Sequence, residues 1–280
     1  MTDRFEFTLG SVEATIVGRA VRADVRRFPL RIRNSTVDPV RFAKLALRVD
    51  QELTRRGLAA AGRLHPSVRT ALALFGEHQV SVSVSGRDER GEDIALLAMS
   101  DGSQALRVVQ SPKEDTLRFC LFSDEDLDFE VSAFLPRVPA APKGELTVEH
   151  RAAPTMSAMA ARRRAEEDAE AEETDAFGNL DVIGTLDAEP ARRPGRRGDA
   201  EQLGEIMAGQ RLGGGFLAAT GLRRNGERRS APPLGWVDTE RGRYLVRTST
   251  EPNGSTVATF TAAGPAELQE AVQHLISSVY

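Results

Sequence analysis

Four histidines, one cysteine and two glycine- or acid-rich stretches are the residues of this chain whose types could carry chemistry. His65, His78, His150 and His274 could act as metal ligands or general bases. None stands at the close spacing of a zinc helix, and no thiolate set is available to complete a site. Cys120, the single cysteine, falls inside the strand-like TLRFCLF, where a small buried core residue is expected rather than a nucleophile. LGGGFLAATG at 212–221 has the glycines of a phosphate loop but not its GK[ST] ending. It reads as a helix-to-strand turn. SDEDLDFE at 123–130 lacks the ligand spacing and glycine of a calcium loop. Ser123 as a cap, with acids at the positive end of a helix, accounts for it. No GxSxG elbow occurs. No catalytic set, cofactor or metal is expected, and the chain is not read as an enzyme.

The elements around these residues repeat. Residues 79–135 give QVSVSVSG, a charged turn, IALLAMSDG, QALRVV, TLRFCLF and a helix start. Residues 216–276 give FLAATGLR, a polar turn, PPLGWVDTERG, RYLVRT, STVATFT and a second helix start. Both read as four short strands closed by an amphipathic helix. Before the first repeat, FEFTLG predicts a strand, SVEATIVGRAV a helix with Ser11 as cap, and FPLRIR at 28–33 another strand. Asp38 and Pro39 open a helix with Phe42, Leu45, Ala46, Val49 and Leu53 on one stripe. Pro66 starts a further helix that turns Val68, Leu72 and Phe75 inward. AEQLGEIMAGQ precedes the second repeat as a helix, with Leu203, Ile206 and Met207 on one face.

These patterns predict a mixed α/β (α+β) fold, a central antiparallel sheet with flanking helices and a quasi-twofold internal duplication. The expected organisation is an N-terminal half over 1–136, a charged connector over 137–198 and a C-terminal half over 199–280, together forming one globular unit. The connector is rich in Ala, Pro and charge, with a transient helix near 157–173 as its only structure.

Composition narrows the classes. The 280 residues are 40% hydrophobic and 28% charged, as in soluble globular proteins, and only 5% aromatic. A net charge of −4 gives no overall attraction to nucleic acid or anionic lipid. RRNGERR at 223–229 reads as a hairpin turn whose charges keep an edge soluble, whereas RRPGRR at 192–197 leaves one alternative open: a regulatory or scaffold protein that contacts an acidic partner or nucleic acid through its connector. No apolar run is long enough to span a membrane, and MTDRFEFTLG carries no leader pattern, so a cytoplasmic protein without a membrane partner is expected. Whether it is a monomer or a homodimer is open.

The strand–helix–FPLRIR unit, the helix from Asp38 followed by RLHPSVRTALALFG, and above all RLGGGFLAATG, PPLGWVDTERGRYLV and the closing helix together resemble the EspG family of type VII (ESX) secretion-associated proteins of actinobacteria. The resemblance spans nearly everything except about 140–198. It implies a cytosolic chaperone without a catalytic centre, with a quasi-twofold fold, that holds a secreted substrate of the PE/PPE type soluble before export.

A chaperone of this kind covers a client's apolar surface with an apolar patch inside a polar rim. The charged turn from Arg87 to Asp93 suits the rim, with Arg87, Asp88 and Arg90 as contacts. Met207, Phe216 and Trp236, the only tryptophan, are the candidate apolar anchors.

Overall fold

Valines at 80, 82 and 84 alternate with serines at 81, 83 and 85, and a strand with that alternation must have one dry face and one wetter face. In the computed structural model this strand is the middle of a large antiparallel sheet. The structure describes residues 4–32, 38–111, 113–142, 144–151, 197–222, 226–252 and 255–280. The helix expected near 157–173 and almost all of the basic run at 192–197 lie outside the described residues.

The first half contributes β1 (Phe5–Gly10), α1 (Ser11–Ala20), α2 (Pro39–Arg55), the short pair β2 (Ala59–Ala60) and β3 (Arg63–Leu64), and α3 (Pro66–Glu77). A meander follows: β4 (Val80–Arg87), β5 (Asp93–Ser100), β6 (Gln104–Gln110) and β7 (Thr116–Ser123), closed by α4 (Leu127–Ser132). The second half contributes β8 (Glu145–Arg151), α5 (Arg197–Ala208), β9 (Arg211–Leu222), β10 (Arg228–Ser230), β11 (Leu234–Thr239), β12 (Gly242–Thr250), β13 (Ser255–Ala262) and α6 (Pro265–Ser277). The strand order is β1-β7-β6-β5-β4-β9-β11-β12-β13-β8, with β10 added beside β9. β4 and β9 meet at the centre, Val80 opposite Gly221 through Arg87 opposite Gly214.

Register divides the side chains between two faces. On one face, α1, α2 and α3 cover Leu97, Met99, Val108 and Phe119 in the first half, while Leu203 and Ile206 of α5 cover Val237, Tyr244 and Phe260 in the second. On the other, α4 and α6 pack side by side over Val82, Val84, Leu217 and Trp236. The face of α6 is the expected one: Leu268, Ala271, Val272, Leu275 and Ile276 are buried. Each buried Leu, Val or Ile among them contributes roughly 1.5–3 kcal/mol of transfer free energy. Asp38 caps α2 by accepting from Val40 N at 2.9 Å. No helix among the described residues is long and apolar enough to cross a membrane.

Several local expectations are corrected. Gly10, not Ser11, is the N-cap of α1, with the Glu13 carboxylate accepting from Gly10 N at 2.9 Å. Ser11 instead donates to Asp115. FPLRIR forms no strand over its described residues: the Arg31 main chain is bonded on both sides by the Gln110 side chain, at 2.6 and 2.9 Å, in place of a neighbouring strand. Its alternation was still informative, since Leu30 is buried and Ile32 packs on the same core. The α2 stripe buries fully only at Val49 and Leu53; Phe42 is half-buried beneath the Arg19 guanidinium, 4.9 Å from its ring centroid. Residues 145–151, expected within a solvated connector, form the outer strand β8 paired with β13. Leu146 supplies its buried contact, and an edge strand open on one face needs few apolar residues.

The candidate partner-binding surface

The loop joining β4 to β5 is built by Asp88. Its Oδ1 accepts from the backbone N of Arg90 and of Glu92, both at 2.9 Å, and Gly91 N donates to Asp88 O at 2.9 Å. Gly91 has φ +72°, a conformation that a side chain would resist. Asp93 then gathers two arginines, Arg87 Nε at 3.4 Å and Arg31 Nη1 at 2.8 Å. The loop therefore has a fixed shape and displays its charges outward.

Beneath it opens a recess of about 660 Å³ lined by Arg87–Gly91, Arg211, Gly213–Gly215, Phe216, Trp236 and Val237. Five of the six expected contacts, Arg87, Asp88, Arg90, Phe216 and Trp236, are brought together here. Met207 does not line it; the side chain is half-buried on the cluster to which Val237 belongs. Phe216 is stacked by Phe28 at 6.1 Å and 10° between planes, which sequence reasoning missed because Phe28 was assigned to a strand. Phe28 is 45% exposed, so an aromatic pair stands at this surface.

Trp236 is a correction. It borders the recess but is 0% exposed, so it is a core residue and not an exposed anchor. Its indole lies over the backbone of β9 and β4: a Cβ on Gly215 would come within 2.5 Å of its Cη2 atom, and one on Gly86 within 2.8 Å. The glycines at 213–215 are likewise not a helix-to-strand turn. They lie within β9, where Gly215 stands opposite both Gly86 and Trp236. The signal that could have revealed this was the pairing of a glycine run with a lone tryptophan in the adjoining strand.

Several ionisable residues elsewhere have structural partners. Glu130, in the acidic stretch, is buried between Arg4 at 2.6 Å and Arg107 at 2.7 Å. Asp124 accepts from the Tyr280 hydroxyl at 2.7 Å and from Ser100. Burial and that carboxylate push the Tyr280 phenol up to about 12. Burial pushes the Cys120 thiol up to about 11, away from thiolate chemistry. His65 caps α3, its Nδ1 accepting from Ser67 N at 3.2 Å, and stacks on Phe5. Among the described residues no group of three or more His, Cys, Asp or Glu side chains is arranged to hold a metal ion. DTERGR turns the β11–β12 hairpin, and within it Asp238 and Arg243 form a buried ion pair, Nε to Oδ1 at 2.6 Å.

The arrangement offers a shaped surface with an aromatic pair, a backbone floor and a charged loop. A search of curated proteins finds no match. Among solved structures, the Mycobacterium tuberculosis type VII secretion system chaperone EspG5, determined in complex with a PE25–PPE41 dimer, is similar in fold with a TM-score of 0.62. The likeness covers 99% of this chain and 97% of that one at 12% identity. The family model of EspG proteins matches residues 11–274, and the chain belongs to the EspG family.

Proposed function

We propose that this chain is a non-enzymatic cytoplasmic chaperone that binds a type VII (ESX) secretion substrate of the PE/PPE kind and keeps it soluble and competent for export. The observation that carries this reading is family membership across nearly the whole chain, joined to a fold shared end to end with a chaperone solved on a PE25–PPE41 dimer. The recess under the β4–β5 loop is the docking region we assign. Phe216 with Phe28 supplies apolar contact, and Arg87, Asp88 and Arg90 form the rim. Trp236 backs the recess through its contact with the β9 and β4 glycines, and Met207 packs on the cluster of Val237, which lines it. We also adopt internal duplication as the origin of the fold. It is supported by the matched order of outer strand, covering helix, four-strand meander and closing helix in the two halves.

The test is co-expression with PE/PPE-type proteins encoded beside its gene. A stable complex on size-exclusion chromatography, with the client insoluble alone, is the expected result. If no such protein co-purifies and none gains solubility, the reading fails.

A further inference from the structure

On the face that carries α1–α3 and α5, the strap after α1 brings a second feature close to the Phe28–Phe216 pair. Arg27, half-buried, places Nη1 3.4 Å from Nε2 of His78, the C-cap of α3. The other ring nitrogen, Nδ1, donates to Leu74 O at 2.9 Å, which leaves Nε2 as the acceptor facing Arg27. The sheet delivers a third group to the same place. Leu222 N donates to Gln79 O at 2.6 Å, and Arg228 of β10 stands opposite Leu222. Next along the same face, the hydroxyls of Ser81 and Thr220 meet at 2.9 Å.

Among the described residues no carboxylate forms an ion pair with Arg27, His78 or Arg228, and Asp24 acts on Arg27 only as a weaker, opposing influence behind burial and Arg228. Asp24, the acid nearest in the strap, is held by Arg26 through contacts of 3.0 and 3.3 Å. Glu77 of α3 is exposed and lines a separate cleft with Arg22, Arg69 and Asp101. Glu227 has a partner of its own. The environment disfavours the charged forms: burial and then Arg228 pull the Arg27 guanidinium down, and burial and then Arg27 pull His78 down. Like charges gathered in a half-buried place are unfavourable unless an opposite charge completes them.

We infer that Arg27, Arg228 and His78 form a receptor for one oxyanion, a carboxylate or phosphate group seated between the two guanidiniums, with the Ser81 and Thr220 hydroxyls as neutral donors. Guanidinium forks suit such a group because two parallel N–H donors match its two oxygens. The oxyanion comes either from free anion in solution or from an acidic residue of a docked client; the second source rests on the chaperone reading, whereas the site does not.

The experiment follows the His78 Cε1–H resonance of the full chain as inorganic phosphate replaces chloride at constant ionic strength, with His78→Gln giving the assignment. The expected result is a saturable shift and a rise in the His78 pKa of at least about half a unit, because a bound anion favours imidazolium. Arg228→Gln and Arg27→Gln should each weaken the phosphate response about tenfold, as loss of a charge-assisted pair predicts. Arg228 is exposed on a three-residue strand, so its variant tests the site without threatening the fold. No phosphate-specific response in the wild type, or a response unchanged in Arg228→Gln, overturns the proposal. A co-purified client that shifts His78 and abolishes the phosphate response identifies the client as the source. A client that leaves the response intact identifies free anion.

Discussion

Asp238 and Arg243 face each other across the β11–β12 hairpin and are both closed off from water, joined by Nε to Oδ1 at 2.6 Å and Nη2 to Oδ2 at 2.8 Å. Arg243 also holds the segment leaving α4, since Nη2 donates to Pro136 O at 2.8 Å and its backbone N to Pro139 O at 2.8 Å. Removing one partner strands the other charge in the core. Arg243→Ala should therefore cost about 3–5 kcal/mol in urea melts. The double change Asp238→Leu with Arg243→Met should cost clearly less than Arg243→Ala, and equal costs would show that the pair is not the reason.

The second expectation concerns the glycine floor. Gly215→Ala forces a methyl to within 2.2 Å of Ser85 O and 2.5 Å of the Trp236 ring, so the central strands must part. Trp236→Ala leaves a large cavity and should destabilise by roughly 3–5 kcal/mol. Both are read as lowered melting temperatures before any client is added. An unchanged midpoint for Trp236→Ala would return the indole to the surface.

Acid should loosen the strap that carries Arg27. His78 sits below its ordinary value of 6.5 because burial and Arg27 disfavour the imidazolium. Folding therefore releases its proton. The stabilisation is present above the unfolded pKa and is lost as pH falls through the lowered native value. In chloride buffer the melting temperature should decline over that acidic window, and His78→Gln should flatten the decline. An identical slope in the variant would remove His78 as its cause.

The rim makes the opposite kind of prediction, a change in binding without a change in stability. Arg87 is exposed and pairs with Asp93 at 3.4 Å, a contact worth at most about 1 kcal/mol. Arg87→Glu with Arg90→Glu should leave the melting temperature nearly unchanged and reduce client capture in a pull-down. Undiminished capture would place the docking surface elsewhere.

The sequence was most readable where one physical rule acted alone. Val80, Val82 and Val84 needed only alternation, Asp38 only an unpaired helix start, and Leu268 to Ile276 only the helical period. Where a distant partner decided the outcome, local reading failed. Nothing in FPLRIR says that the Gln110 side chain will satisfy Arg31, and nothing in ELTVEHR says that β13 leaves an edge open for it. Asp238 and Arg243 look like turn charges until residues 136–141 are seen to lie over them. At the candidate surface, the loop from Arg87 and the side chain of Phe216, proposed separately as rim and anchor, line one recess, while the depth of Trp236 depended on two glycines in two other strands.

The position of β8 has a consequence for the integrity of the molecule. By sequence it precedes the long stretch 152–196, yet by pairing it belongs with β13, which follows that stretch. The central β4–β9 ladder likewise joins strands from opposite sides of it. A protease that cuts within 152–196 would thus separate the chain but not the fold, because each fragment would still grip the other along two independent rows of hydrogen bonds. The nicked protein would behave as a non-covalent heterodimer of its own pieces, with β8 serving as a clasp donated by one to the other.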